Sequence, residues 1–268
     1  MQLAVQPSGT DDMIVEFVGC SGAGKTTLAR GLADGALTRG AVMARDLILD
    51  RPGRRWVTNP QAVNVVADLT ALPWLWRARE RNREFVRYAF ERLDRYAPST
   101  FARLNYKRNI VRRVGLHEMA VAHESGVPVL ADEGVVLTAY HLFVYSDAPY
   151  SQSELEHFAN LVPLPDRIVY VKAPVEALID RALIRADPRR ELAKSDHAEL
   201  GRQIQRAVEV FDVLASCAGI SARLVTIENT TGSDADRNAR LQWLAAQIEG
   251  SPIDDSAATL APPDAIGA

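Results

Sequence analysis

The sequence predicts an α/β domain, and three observations predict it. Gly19-Cys20-Ser21-Gly22-Ala23-Gly24-Lys25-Thr26 is a complete G-x-x-x-x-G-K-[ST] loop. Strand-like and helix-like segments alternate after that loop. An apolar run, Val127-Pro128-Val129-Leu130-Ala131, ends in the carboxylate pair Asp132-Glu133, where α/β sheets bind ligands at their strand ends.

The first element is Met13–Val18, a β-branched and aromatic run read as a buried strand. The loop follows, and then a helix with Leu28, Leu32 and Leu37 at helical spacing. Glycines let successive N–H groups turn toward a phosphate chain, and the helix N-terminus adds partial positive charge. Lys25 can reach the β- and γ-phosphates, and the Thr26 hydroxyl is placed to ligate Mg²⁺. Gly19, Ser21, Gly22, Ala23, Gly24, Lys25, Thr26 and Thr27 are therefore the expected nucleotide-binding residues. The pattern predicts a chain that binds a nucleoside triphosphate.

Further strands are expected at Ala41–Arg45, Val127–Ala131, Arg167–Ala173 and Ala222–Ile227. Helices are expected at Val135–Tyr145, Ser151–Leu161, Pro174–Ala186, Asp196–Ser216 and Ser233–Ile248, with Ser151 and Ser233 as N-caps and Pro174 in a first turn. Residues 54–124 carry no strand signal. There Leu75, Ala78, Asn82, Phe85, Ala89, Leu93 and Tyr96 repeat at steps of three and four, one amphipathic helix face, and a second helical pattern runs from about Thr100 to His123. This stretch is read as a helical cap inserted in a domain spanning 13–249, between tails at 1–12 and 250–268.

The chain of 268 residues is 47% hydrophobic and 24% charged, with a net charge of −3, which points to no particular partner. Cys20 sits in the loop, where a disulfide to the distant Cys217 would obstruct the site, so a reducing cytoplasm is expected. The longest apolar run, Val135 to Tyr145, is too short to span a membrane. The five histidines show no metal-ligand spacing with the cysteines.

Candidate chemistry gathers at three places. Asp132 can hold the Mg²⁺ shell, and Glu133 can take a proton from an attacking hydroxyl. Asp46, after the second strand, is a rival base. Arg181 and Arg185 share a helix face, with Arg189 and Arg190 beyond, and such guanidinium groups can steady a transferring phosphoryl group from a lid at 181–191. Residues 77–113 hold twelve Lys/Arg against four Asp/Glu. Their clusters, Arg77 to Arg87 and Lys107 to Arg113, read either as a surface attracting an anionic acceptor or as a solvated face.

In this order the loop, Asp132-Glu133-Gly134, Leu164-Pro165-Asp166 and Arg181…Arg185 resemble the thymidylate kinase-like branch of nucleoside and nucleotide kinases. The resemblance implies a five-stranded parallel sheet of order 2-3-1-4-5 and an arginine-bearing lid. It also implies that Glu228-Asn229-Thr230-Thr231 lies near adenine. Thymidylate kinases usually carry Asp-Arg where this chain has Asp132-Glu133, and a carboxylate there argues for an alcohol acceptor needing a base. The expected activity is ATP- and Mg²⁺-dependent phosphotransfer to a small, nucleoside-, nucleotide- or sugar-like acceptor. A nucleic-acid kinase and a nucleotide-hydrolysing assembly factor are the alternatives. No membrane partner is expected, and a homodimer is left open.

Overall fold

The structure, a computed structural model, describes residues 13–49, 59–124, 126–145, 148–184, 197–229 and 234–250. Five strands form one parallel sheet: β1 (Ile14–Val18), β2 (Val42–Met43), β3 (Val129–Ala131), β4 (Arg167–Lys172) and β5 (Leu224–Glu228), in the order β2-β3-β1-β4-β5. This is the order that the resemblance implies. β1 lies at the centre, buried along its whole length, with Ile14 opposite Val129 in β3 and Val15 opposite Arg167 in β4. Asp166 fixes the start of β1 by accepting the Ile14 N–H at 2.8 Å.

The helices are α1 (Lys25–Gly31), α2 (Asp46–Leu49), α3 (Pro60–Arg77), α4 (Arg79–Tyr96), α5 (Thr100–Val121), α6 (Gln152–Leu161), α7 (Val175–Ile184), α8 (His197–Ser216), α9 (Ala218–Ser221) and α10 (Asp234–Glu249). One apolar cluster runs from Val15, Phe17 and Val169 in the sheet to Phe85 in α4, Ile110 in α5, Phe158 in α6, Phe211 in α8 and Leu244 in α10. Continuous burial of that kind holds sheet and helices together through apolar area removed from water. Ser151 caps α6 with a full capping box, its hydroxyl accepting from Glu154 N–H and the Glu154 carboxylate accepting from Ser151 N–H.

Residues 60–121 differ from the sequence reading in one respect. The face Leu75 to Tyr96 is split at Ala78, whose φ of −99° and ψ of 15° leave the helix, so Leu75 belongs to α3. On α4 itself Asn82, Phe85, Ala89 and Leu93 are buried as the periodicity predicts. α3 shows no such stripe because apolar residues surround it: Val63, Ala67 and Ala71 are buried while Val65, Leu69, Leu72 and Trp76 are exposed.

The expected helix at Val135–Tyr145 is instead a 3₁₀ turn (Val136–Thr138) followed by a π-helical turn (Tyr140–Val144). The run is apolar because it is buried on nearly all sides, and that pattern does not specify a regular α-helix. The tails, the Ser233 cap and residues 185–191 of the expected lid lie outside the described residues. No described helix is long and apolar enough to cross a membrane.

Candidate active site

β1 delivers the chain into the loop, and the loop is braced from three directions. Gly24 heads α1 with φ 95°, and a side chain there would also run into the Asn229 amide. Asn229, just past β5, donates from Nδ2 to the Ala23 carbonyl at 2.7 Å. Arg181 on α7 donates to the carbonyls of Gly22 and Asn229, each at 3.2 Å. Tyr140 accepts the Ser21 N–H on its hydroxyl oxygen at 2.8 Å. The described Arg181 thus acts as a clamp on the loop, and Arg185 lies outside the described residues.

Lys25 Nζ donates to the carbonyls of Gly19 and Cys20, both at 2.8 Å. Burial lowers its ammonium to about 8, with the nearby Cys20, Glu133 and Asp132 opposing that fall. Thr26 Oγ1 donates to Asp132 Oδ2 at 2.9 Å, so the loop's hydroxyl and the carboxylate at the end of β3 meet. Two hard oxygen donors so close together suit a magnesium ion, which prefers oxygen ligands.

Glu133 stands beside them with its side chain 62% exposed and 3.7 Å from Arg113 Nη2 on α5. Asp46, the rival base, lines a separate hollow with Trp74 and His123 and does not line the cavity over the loop.

That cavity, about 520 Å³, has the loop on one side, lined by Ser21, Gly22, Gly24, Lys25 and Thr26, with Asp132 and Glu133 beside them. Facing them are Asn105, Tyr106, Arg108, Asn109, Arg112 and Arg113 of α5 and Tyr140, His141 and Tyr145 of the π-helical turn. Of the two arginine clusters, only the second contributes: Arg77, Arg79, Arg81, Arg83 and Arg87 do not line it. Arg81 is spent on an ion pair with the buried Glu118, and Lys107 on Asp94 at 2.6 Å. Gly19, Ala23 and Thr27 do not line the cavity either. Gly19 and Ala23 are buried beneath the loop, and Thr27 faces outward from the first turn of α1.

One residue of the site escaped the sequence reading. Glu16, on the central strand and 1% exposed, accepts the Leu137 N–H at 3.0 Å. Burial pushes its carboxyl up to about 7, against the pull of backbone N–H groups at Leu137, Val136 and Val135 and of Arg113. A side chain on Gly134 would collide with the Glu16 carboxyl, so Gly134 is what lets the Asp132-Glu133-Gly134 turn settle onto this strand. Glu16 therefore positions the turn that carries both candidate carboxylates. A carboxylate among the apolar residues of a predicted strand was its only signal.

No family model and no curated protein matches the chain. Among solved structures it is similar to shikimate kinase from Acinetobacter baumannii, at 18% identity over 88% of this chain and 90% of that one, with a TM-score of 0.40. It is also similar to deoxyadenosine kinase from M. mycoides, at 14% identity over 88% and 98% of the two chains, with a TM-score of 0.46.

Proposed function

We propose that the chain is an ATP- and Mg²⁺-dependent phosphotransferase that moves a γ-phosphoryl group to a small acceptor, on a hydroxyl in preference to a phosphate. The observation that carries this reading is the meeting of loop, Thr26–Asp132 pair and Glu133 in one cavity of about 520 Å³. ATP supplies the phosphoryl group, and Mg²⁺ neutralises charge on its phosphates. Loop N–H groups and Lys25 hold the phosphate chain, and Lys25 must swing off the Gly19 and Cys20 carbonyls to do so. Thr26 and Asp132 would hold the metal.

Glu133 takes the proton from the acceptor oxygen as that oxygen bonds to the γ-phosphorus and the bond from phosphorus to ADP breaks, with ADP as the leaving group and Arg113 3.7 Å from the Glu133 carboxylate. Arg181 keeps the loop in register, and Arg185 is assigned the charge on the transferring group. Most of the rate then comes from positioning and electrostatics, as phosphoryl transfer asks little covalent chemistry of the protein. A cytoplasmic setting belongs to the same reading, since a disulfide at Cys20 would obstruct the loop.

The test is transfer of label from γ-labelled ATP into a pool of small hydroxylated metabolites. Wild type should label at least one of them in Mg²⁺ and none in EDTA, and Lys25→Ala should label none. Wild-type protein that neither binds Mg²⁺-ATP nor transfers label overturns the reading.

A further inference from the structure

We infer that α5 and the π-helical turn build an acceptor subsite for a small hydroxylated anion, with Arg113 meeting the anionic group and His141 a hydroxyl. This rests on the phosphotransfer reading and narrows it to a class of acceptor.

The cavity walls carry Lys25, Arg108, Arg112 and Arg113 against Asp132 and Glu133, a cationic surplus before any phosphate enters. These cations are not equally free. Arg108 and Arg112 both reach Asp68, at 3.1 and 3.7 Å, and Arg112 also donates to Asn64 and Asn109. Lys25 is committed to the loop. Arg113 is only 8% exposed, yet its Nε and Nη1 make no hydrogen bond among the described residues, and its contact with Glu133 is a long 3.7 Å. A buried guanidinium short of partners is costly unless something supplies them. A carboxylate or phosphate has the two acceptor oxygens that a guanidinium fork fits.

His141 repeats the pattern. It is 8% exposed, lines the same cavity, and neither ring nitrogen has a partner among the described residues. It stacks on Tyr106 with ring centroids 4.7 Å apart. Burial, joined by Arg113 and Arg112, holds its pKa well below the ordinary histidine value, so the ring is neutral and offers one donor and one acceptor. A hydroxyl, itself donor and acceptor, suits such a group, whereas a second anion does not. Two under-satisfied buried groups on one cavity mark a place optimised for a ligand rather than for the stability of the empty protein.

The experiment is calorimetric titration at low salt of full-length protein saturated with Mg²⁺ and a non-hydrolysable ATP analogue. The probes share one ring: glucose, glucuronate and glucose 6-phosphate. We expect one or both anions to bind and glucose to bind at least tenfold more weakly. Whichever anion is preferred identifies the carboxylate or the phosphate as the group Arg113 reads. Arg113→Met and His141→Phe should each weaken anion binding at least tenfold and leave analogue affinity unchanged. His141→Phe should also raise the melting temperature, because it removes two unsatisfied polar atoms without opening a cavity.

Glucose binding as tightly as the anions, binding of none of the three, or undiminished anion binding by both variants overturns the inference. If the analogue fails to bind, the phosphotransfer reading falls instead. The anion titration then uses unloaded Lys25→Ala protein, which still decides the subsite.

Discussion

The loop wall of the cavity is built from glycine, serine and threonine around Lys25, whereas the helical wall is built from long side chains throughout. The loop wall makes strict demands on residue type. Gly24 needs a left-handed φ of 95°, and Thr26 must reach Asp132 at 2.9 Å. The helical wall instead presents Tyr106, Arg112, Arg113 and His141, and many other side chains of similar length could take those places. A region whose backbone does the binding leaves a fixed spacing in the sequence. A region whose side chains do it leaves only composition.

The largest expected effect lies on the loop wall. On the phosphotransfer reading Lys25→Ala removes the ammonium assigned to the phosphate chain, and loss of one such electrostatic partner costs on the order of 10²–10³ in turnover. Circular dichroism should show an unchanged fold, since the lysine's present bonds are only to carbonyls of its own loop. Near-normal turnover in this variant would break the comparison at its stronger end.

The contrast also accounts for what could be read in advance. The loop and the Asp132-Glu133 turn were legible because each is a motif that few other residues satisfy, and the strand order came with the resemblance those motifs carry. α3 was not, since a helix with Val65, Leu69 and Trp76 exposed and Val63 and Ala67 buried has no stripe to detect. Arg181 was picked out by its spacing to Arg185, and its bonds to the Gly22 and Asn229 carbonyls could not be read from that spacing because those residues approach from other elements. Arg113 and His141 were visible only as members of a charge run and an apolar run. Their placement on one cavity is a tertiary fact.

A second experiment sharpens the division at the boundary between the walls. Glu133→Gln should lower kcat by roughly 10²-fold or more and leave the affinity for Mg²⁺-ATP nearly unchanged, since glutamine cannot take the proton. Asp46→Asn should keep wild-type turnover, because Asp46 opens onto a different hollow. The reverse result, an active Glu133→Gln and a dead Asp46→Asn, would move the base to the end of β2.

Beneath both walls, Glu16 predicts a pH dependence of stability. Its carboxyl titrates near 7 when folded and near 4.5 when unfolded. Between those values the folded chain therefore holds the extra proton, and stability falls as pH rises through that window. The full loss is on the order of 3 kcal/mol. His117, lowered to about 4 by burial and by Arg81, works the other way, its contribution growing as pH rises from about 4 to 6.5. The clean measurement is the difference between wild type and Glu16→Gln, which keeps an acceptor for the Leu137 N–H. Urea unfolding at pH 4.5 and pH 8 should show the variant gaining on wild type at the higher pH. Equal changes in the two proteins would mean that Glu16 is ionised in the folded chain.

The smallest effect is expected at the first of the two basic clusters. The cluster from Arg77 to Arg87 carries five arginines in eleven residues, but none of them lines the cavity. Arg79 lies over the Trp76 ring at 4.9 Å and pairs with Glu80 at 3.4 Å, and Arg83 is exposed. Surface contacts of this kind contribute about 0–1 kcal/mol each. Arg79→Glu combined with Arg83→Glu should therefore leave the Michaelis constants for ATP and acceptor within about twofold of wild type in 0.15 M salt, where charges are screened beyond about 8 Å. At low salt the double variant should show at most a modest slowing of acceptor capture, since a distant field steers encounter without forming the site. A tenfold rise in the acceptor's Michaelis constant would place the acceptor on α4 rather than α5, and the helical wall described above would be the wrong one.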